Sequence, residues 1–345
     1  MNQQVASQKK DFFKETLMKN ILNSFKKTLV LPLALIALFA LPQVALAQYP
    51  KKPIKMIIGY TAGGAADKLI RPIAERVSKI IGQPFIMEYR PGAGAAIALD
   101  ITAKADPDGY TLHITDSGPM VILPNMRKLA YDPLKDFTNI AMIAGGGTVI
   151  VVRPDSPAKD IQTLVALAKK DPSKWSYGTS GIGGVGHLAG EQFNKLENLN
   201  ITHVPYKGGN PAVVEVLGGH VPFLFSSLGS AATQLEAGTL KPLAVTSLKR
   251  SVMLPNVPTL DESGYKGFDA AIWFSIVGPK GLPAEVMAKL VPAFNQVMKD
   301  PAVIKGIQVD GYDMMPMTPA QMDELVAKDL AKWGKLIKEA NVRDE

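Results

Sequence analysis

The chain has 345 residues, 47% of them hydrophobic, with no cysteine and a formal net charge of +7. Without cysteine there is no disulfide scaffold, so a chain of this length must be held by a buried core. The charge is unevenly placed: residues 1–47 hold six lysines and two acids, and the remaining 32 basic and 29 acidic side chains sum to only +3, which excludes the footprint of a nucleic-acid-binding domain.

Lys19, Lys26 and Lys27 precede an apolar run from Leu29 to Leu41, and Ala45-Leu46-Ala47 sets small residues three and one positions before Gln48. That order predicts a secretory signal peptide over residues 1–47, cleaved after Ala47, in an exported protein. The run is shorter than the roughly 20 residues of a membrane span, so an N-terminal anchor is the weaker alternative. The n-region is long, which leaves Met1 and Met18 both open as the start, and no cysteine stands at the cleavage site to carry a lipid.

From Pro53 strands and helices alternate. Ile54–Tyr60 reads as a strand that breaks at Thr61-Ala62-Gly63-Gly64-Ala65-Ala66-Asp67. Leu69, Ile70, Ile73, Val77, Ile80 and Ile81 then line a helical face that stops at Gly82. Asp67 is a natural N-cap, and Pro72 predicts a late start or a kink. Phe85–Tyr89 is the next strand, followed by the turn Arg90-Pro91-Gly92-Ala93-Gly94, a helix over 97–104, and a strand Thr111–Thr115 ending at Asp116-Ser117-Gly118. Thr148–Val152 is apolar on both faces, as in a central parallel strand.

Ser176-Tyr177 then leads into five glycines within nine residues, Gly178 to Gly186, and into a helix opening at His187. A strand, a glycine turn and a helix N-terminus make a corner that holds anions, because first-turn N–H groups lack partners and glycine lets a ligand approach the backbone. Gly181, Gly183 and Gly186 also spell the dinucleotide fingerprint, but the strand that follows, Ile201–Lys207, ends in a lysine instead of the acid that would hold a ribose. Val221–Phe225 and Lys241–Thr246 read as further strands, Ala271–Gly278 as another, and Thr318, Pro319 and Gln321 open a last helix as a capping box. The alternation predicts an α/β, doubly wound, largely parallel sheet with ligands at the carboxyl ends of its strands.

Catalytic and metal signals are sparse. Gly178-Thr179-Ser180-Gly181-Ile182 lacks the last glycine of a hydrolase elbow, and no two of the four histidines stand at metal-ligand spacing. No enzyme, cofactor or metal is expected.

Seven motifs in order carry a resemblance: Ile58–Arg71; Arg90-Pro91-Gly92-Ala93-Gly94; Asp106-Pro107-Asp108-Gly109-Tyr110-Thr111-Leu112; Tyr131–Phe137; Tyr177–Phe193; His203–Gly208; and Leu254-Pro255-Asn256-Val257-Pro258-Thr259. From about Tyr49 onward the chain resembles the Bug family, substrate-binding proteins of tripartite tricarboxylate transporters. The resemblance implies a periplasmic, monomeric protein of the Venus flytrap type, with two doubly wound lobes and a cleft between them. Lobe 1 would be 48–147 with 268–345, and lobe 2 148–267. It implies a small organic acid in the cleft, delivered to membrane transporter subunits, with a sensor subunit as a second reading and an exported dinucleotide-binding enzyme as a third.

The ligand would lie against Tyr60, Thr61, Ala62, Gly63, Gly64, Ala65 and Asp67 from one loop and Gly178, Thr179, Ser180, Gly181, Gly183 and His187 from the other. Ser117, Tyr206, Ser226 and Trp273 complete the expected set. Amino-acid-binding relatives carry an aspartate where this chain has Ser226, which disfavours an amino acid. Gly186 stands where a hydroxyl is frequent, Ala66 where a threonine or serine is common, and Ala95 and Ala96 where glycine and asparagine are usual, which points to a less polar or differently shaped acid, an aromatic one included. Tyr60 and Trp273 are either its walls or core.

Overall fold

One long strand organises the molecule. In the computed structural model, which describes Lys14 and residues 17–20, 49–340 and 342, β1 (Ile54–Ile58), β2 (Phe85–Tyr89) and β3 (Thr111–Asp116) are followed by β4 (Phe137–Val152). β5 (Ser176–Thr179), β6 (Thr202–Pro205), β7 (Phe223–Ser227), β8 (Lys241–Val245), β9 (Ala271–Pro279) and β10 (Asp313–Met314) complete the strands. Phe137–Gly147 of β4 pairs with β9, whereas Thr148–Val152 lies between β7 and β8. A single strand therefore begins in one sheet and ends in another.

The first sheet runs β2-β1-β3-β9-β4, with β1, β2 and β3 parallel and β9 antiparallel to both neighbours. The second runs from β4 through β7 and β5 to β6; β5, β6 and β7 are parallel, and β4 is antiparallel to β7 and β8. The result is a two-lobed α/β fold, each sheet with three parallel strands, but β9 runs against β1–β3 and β4 against β5–β7, contrary to the parallel pairing expected. Val149–Val152 is indeed central and buried. Burial on both faces made it apolar, and burial does not specify strand direction.

The crossing is tied by hydroxyls. Thr246 donates its backbone N–H to the Thr148 carbonyl (2.9 Å) and receives the Thr148 N–H on its own Oγ1 (2.9 Å), while Oγ1 also donates to the Ala270 carbonyl (2.6 Å). Buried backbone groups at a change of sheet need such partners.

Helices join the strands: α1 (Ala65–Ile81), α2 (Ala96–Ala103), α3 (Leu123–Met126), α4 (Ile161–Lys170), α5 (Val185–Glu197), α6 (Gly209–Leu217), α7 (Leu228–Glu236), α8 (Ala284–Val297), α9 (Pro301–Val309) and α10 (Pro319–Ala340). α1 starts seven residues before Pro72 and continues through it, ending on left-handed Gly82 as its sequence requires. Pro72 is exposed, and the late start expected from the sequence does not occur. α10 opens with the expected capping box: Thr318 N–H donates to Gln321 Oε1 (2.9 Å) and Gln321 N–H to Thr318 Oγ1 (3.3 Å). Met322, Val326, Trp333 and Ile337 form its buried stripe.

Apart from Lys14 and residues 17–20, which are helical, the signal peptide read over residues 1–47 lies outside the described residues. Among the described residues no helix is long and apolar enough to cross a membrane.

Candidate functional site: a cleft between two helix N-termini

The carboxyl ends of β1 and β3 in one sheet and of β5 and β7 in the other meet around a cavity of about 30 Å³. Its walls include Tyr60 and Asp116, Ser180 and Ser227, each at or just past one of these strand ends, and the first residues of α1 and α5, Gly64-Ala65-Ala66 and Gly184-Val185-Gly186. Phe225, Ile272 and Phe274 supply apolar wall, and Thr148 marks the crossing. This is where a doubly wound fold collects ligands, and two helix N-termini there offer amide donors and partial positive charge.

The two loops are built alike. In the first, Gly63 adopts φ +76 and donates its N–H to Asp67 Oδ2 at 2.7 Å. The other oxygen, Oδ1, accepts from the Tyr89 hydroxyl (2.8 Å) and pairs with Arg71 Nε (2.8 Å). In the second, Gly183 adopts φ +74 and donates to His187 Nδ1 at 3.2 Å. His187 stacks on His203 with ring centroids 4.1 Å apart, and His203 Nε2 bonds Thr179 Oγ1 at 2.8 Å. Burial, helped by His187, pushes the His203 imidazole down to about 3, so it is neutral.

The lobes are closed on each other. Ala65 N–H donates to Ser230 Oγ (3.3 Å), which also accepts from Ser227 Oγ (2.8 Å). A hydroxyl of one sheet thus occupies a first-turn donor of the other. Asn210 Nδ2 donates to the Ala62 carbonyl (3.1 Å), Lys68 Nζ to the Gly229 carbonyl (2.7 Å), and Gly229 N–H to the Tyr312 hydroxyl (3.2 Å). Gly94 and Ile182 approach so closely that a Cβ on Gly94 would stand 2.2 Å from the Ile182 carbonyl oxygen.

Asp116 is the one carboxyl on the cavity wall. Burial raises it to about 6, against the Tyr60 hydroxyl and the Gly118 N–H (2.8 Å), which favour its charged form. Burial, then Asp116, pushes the Tyr60 phenol well up, so Tyr60 stays a neutral donor.

Of the expected set, Tyr60, Gly64, Ala65 and Ser180 line this cavity. Gly181 and Tyr206 line a second compartment of about 160 Å³ that shares Tyr60 and Ser180 with the first. The others stand behind. Asp67 is not the N-cap, which is Gly64; it sits in the first turn of α1 and ties down the loop together with Gly63. Thr179, Gly183 and His187 do the same for the second loop. Ala62 presents its carbonyl to Asn210, and Thr61 Oγ1 is buried without a partner beside Gly208. Gly178 is packed against Leu224, where a Cβ would come within 2.4 Å.

Ser226 and Trp273 do not line this cavity, and a neighbour on each strand does. Ser227 and Phe225 face the cavity, so Ser226, between them on β7, faces away and donates to the Ser227 carbonyl at 3.1 Å. Ile272 and Phe274 form the wall, while Trp273 is buried and donates Nε1–H to Asp329 Oδ2 at 2.9 Å. Ser117 accepts the Trp273 N–H at 3.4 Å. Gly186 has a packing reason: a side chain there would meet the Phe225 carbonyl at 2.6 Å. Asp116, Ser227 and Ser230 also line the cavity and were not expected there; the strand-end position of Asp116 was the available signal.

A family described as tripartite tricarboxylate transporter receptor matches residues 69–342. The chain belongs to this family. It is 31% identical over 297 residues to protein BugT of Bordetella pertussis, covering 86% of this chain and 91% of the relative. The structure of periplasmic binding protein BugD superposes with a TM-score of 0.83 at 33% identity, over 86% of this chain and 100% of that one. The structure described as R. palustris Rpa4515 with adipate gives 0.82 at 32%, over 86% and 99%. The chain is thus a solute-binding receptor of the Bug type, a family of periplasmic proteins. Among the described residues no group of three or more histidine, aspartate or glutamate side chains could hold a metal.

Proposed function

We propose that this receptor is exported, cleaved after Ala47, and binds a small organic carboxylate between its lobes as a monomer, closing on it and presenting the closed form to the membrane subunits of a tripartite transporter. The convergence of the α1 and α5 N-termini on one cavity carries this reading. Neutral amide and hydroxyl donors hold a carboxylate without burying an unpaired lysine or arginine. The adipate in the Rpa4515 structure supports the ligand class. The change of pairing between Gly147 and Thr148, with the return at Ala270, supports lobes of 48–147 with 268–345 and of 148–267.

The test is a thermal-shift screen of the processed protein against mono-, di- and tricarboxylates, with NAD and NADP alongside. A ligand that binds only the folded state raises stability by RT ln(1 + [L]/Kd), about 2.7 kcal/mol at a hundredfold excess over Kd. Stabilisation by at least one carboxylate is expected. Stabilisation by a dinucleotide and no carboxylate would overturn the reading.

A further inference from the structure

A separate cavity, of about 510 Å³, opens at the far end of the second sheet. The cleft takes the carboxyl ends of β5 and β7, at Ser180 and Ser227. This cavity is built on the residues that lead into the same strands, Trp175 before β5 and Val221-Pro222 before β7, together with Arg153 just past β4. About 16 Å of extended strand separates Trp175 from Ser180, and the two cavities share no residue.

The floor is apolar. Pro157, Leu167, Trp175, Val221 and Pro222 form it, and Trp175, 9% exposed, packs on Phe223 with ring centroids 6.2 Å apart. A space of this size falls within the roughly 300–1,000 Å³ of small-molecule sites.

The rim is charged, and its acids are already engaged. Asp155 accepts from Arg153 Nε at 2.8 Å on one oxygen and from Arg153 Nη2 on the other. Asp171 accepts the Ser173 hydroxyl at 2.7 Å and pairs with Lys174 Nζ at 2.9 Å. What is left over is donors. Arg153 Nη1 has no acceptor among the described residues. It lies against Gly219, at φ +76, where a Cβ would stand 2.6 Å from that nitrogen. The Trp175 indole N–H likewise meets no described acceptor, although the residue is nine-tenths buried. Lys170, in the last turn of α4, is exposed, and no described carboxylate pairs with it. Three cations thus face two spent acids above an apolar floor. Unused donors over apolar surface suit a guest with an apolar body and an acceptor group.

We propose that this cavity is a second binding site, for a small organic anion with a flat apolar body. The body lies against Trp175 and Leu167, and the acid group takes the spare donors of the rim, Lys170 first. The site stands apart from the cleft and does not depend on the carboxylate reading.

Fluorescence titration of the processed protein with anilinonaphthalene sulfonate, and with its uncharged parent phenylnaphthylamine, tests it. The sulfonate is expected to saturate a single site and to bind about fivefold or more tightly than the parent, with a preference that shrinks as salt rises. Lys170→Glu is expected to weaken the sulfonate about tenfold and to leave the parent within about twofold. Leu167→Glu, which puts a carboxylate on the floor, is expected to weaken both about tenfold or more. Gly181→Val, which blocks the cleft, should leave both unchanged. Melting without probe checks that each variant is folded, and the exposed Lys170 is the variant least able to disturb the core. No binding by the wild type, equal binding of sulfonate and parent, or loss in Gly181→Val with none in Lys170→Glu and Leu167→Glu would each overturn the site. None of these results bears on the carboxylate screen, which tests the cleft separately.

Discussion

Asp67 and His187 hold the same place in the two halves of the cleft. Each lies in the first turn of its helix and accepts the N–H of the glycine four residues earlier, Gly63 at 2.7 Å and Gly183 at 3.2 Å. A carboxylate and an imidazole thus do one job, tying a positive-φ glycine loop at the N-terminus of a helix that opens on the cleft.

Their replacement is expected to damage binding through the loop. Asp67→Ala strands the N–H of Gly63, the Tyr89 hydroxyl and Arg71, and should cost about 1–3 kcal/mol of stability. His187→Ala strands one N–H and should cost less. Urea unfolding and carboxylate titration together check this; unchanged affinity in Asp67→Ala would show that the loop does not need its tie.

Closure depends on glycine at the contact between Gly94 and Ile182. Gly94→Ala puts a Cβ about where the Ile182 oxygen stands, 2.2 Å away, and forces a side chain onto φ +62. Affinity is expected to fall about tenfold or more, with stability reduced by about 1–2 kcal/mol. Small-angle scattering should show a form that no longer contracts when carboxylate is added. Gly181→Val, at φ +141 and 3.3 Å from the Tyr206 carbonyl, is expected to abolish binding.

Asp116 gives the binding a pH dependence. Its carboxyl sits near 6 in the closed protein. A bound anion beside it favours the protonated form and raises it further. Below about pH 6 both states carry the proton and affinity is level; as pH rises above about 6 the free protein loses the proton first, and affinity falls. Titrations from about pH 5.5 to 8 should show this decline, and Asp116→Asn should flatten it. Stability follows the same sign. The raised carboxyl costs nothing below the unfolded value of about 3.9, and its cost grows as pH rises from there to about 6. A pH-independent wild type would remove Asp116 from the ligand's surroundings.

Serine to aspartate on β7 separates its two faces. Ser227→Asp sets a carboxylate on the cavity wall and is expected to repel carboxylate ligands about a hundredfold. Ser226→Asp buries one away from the cavity, and should lower the melting temperature without admitting amino acids. Uptake of an amino acid by Ser226→Asp would reverse the facing of the strand.

Much of the fold was legible because local signals agree with it. β2 was read at its observed bounds, and the capping box at Thr318 and the stop at Gly82 form as their residue types require. That the two glycine corners, with Tyr60, Gly64, Ala65 and Ser180, stand at one cavity was legible for the same reason. A glycine turn between strand and helix can do little else than present amides.

The amino-acid sequence by itself determined most of the order of strands and helices and the two glycine corners, and it carries the pattern from which an export signal is expected. Only the tertiary structure decided which neighbours on a strand face the cleft. Side chains alternate with period two, so a strand end placed one residue off exchanges Ser226 for Ser227 and Trp273 for Ile272 and Phe274. It also decided the pairing of β4 and the meeting of Asp116 with the opposite loop, since long-range pairing leaves no mark on the residues that share it.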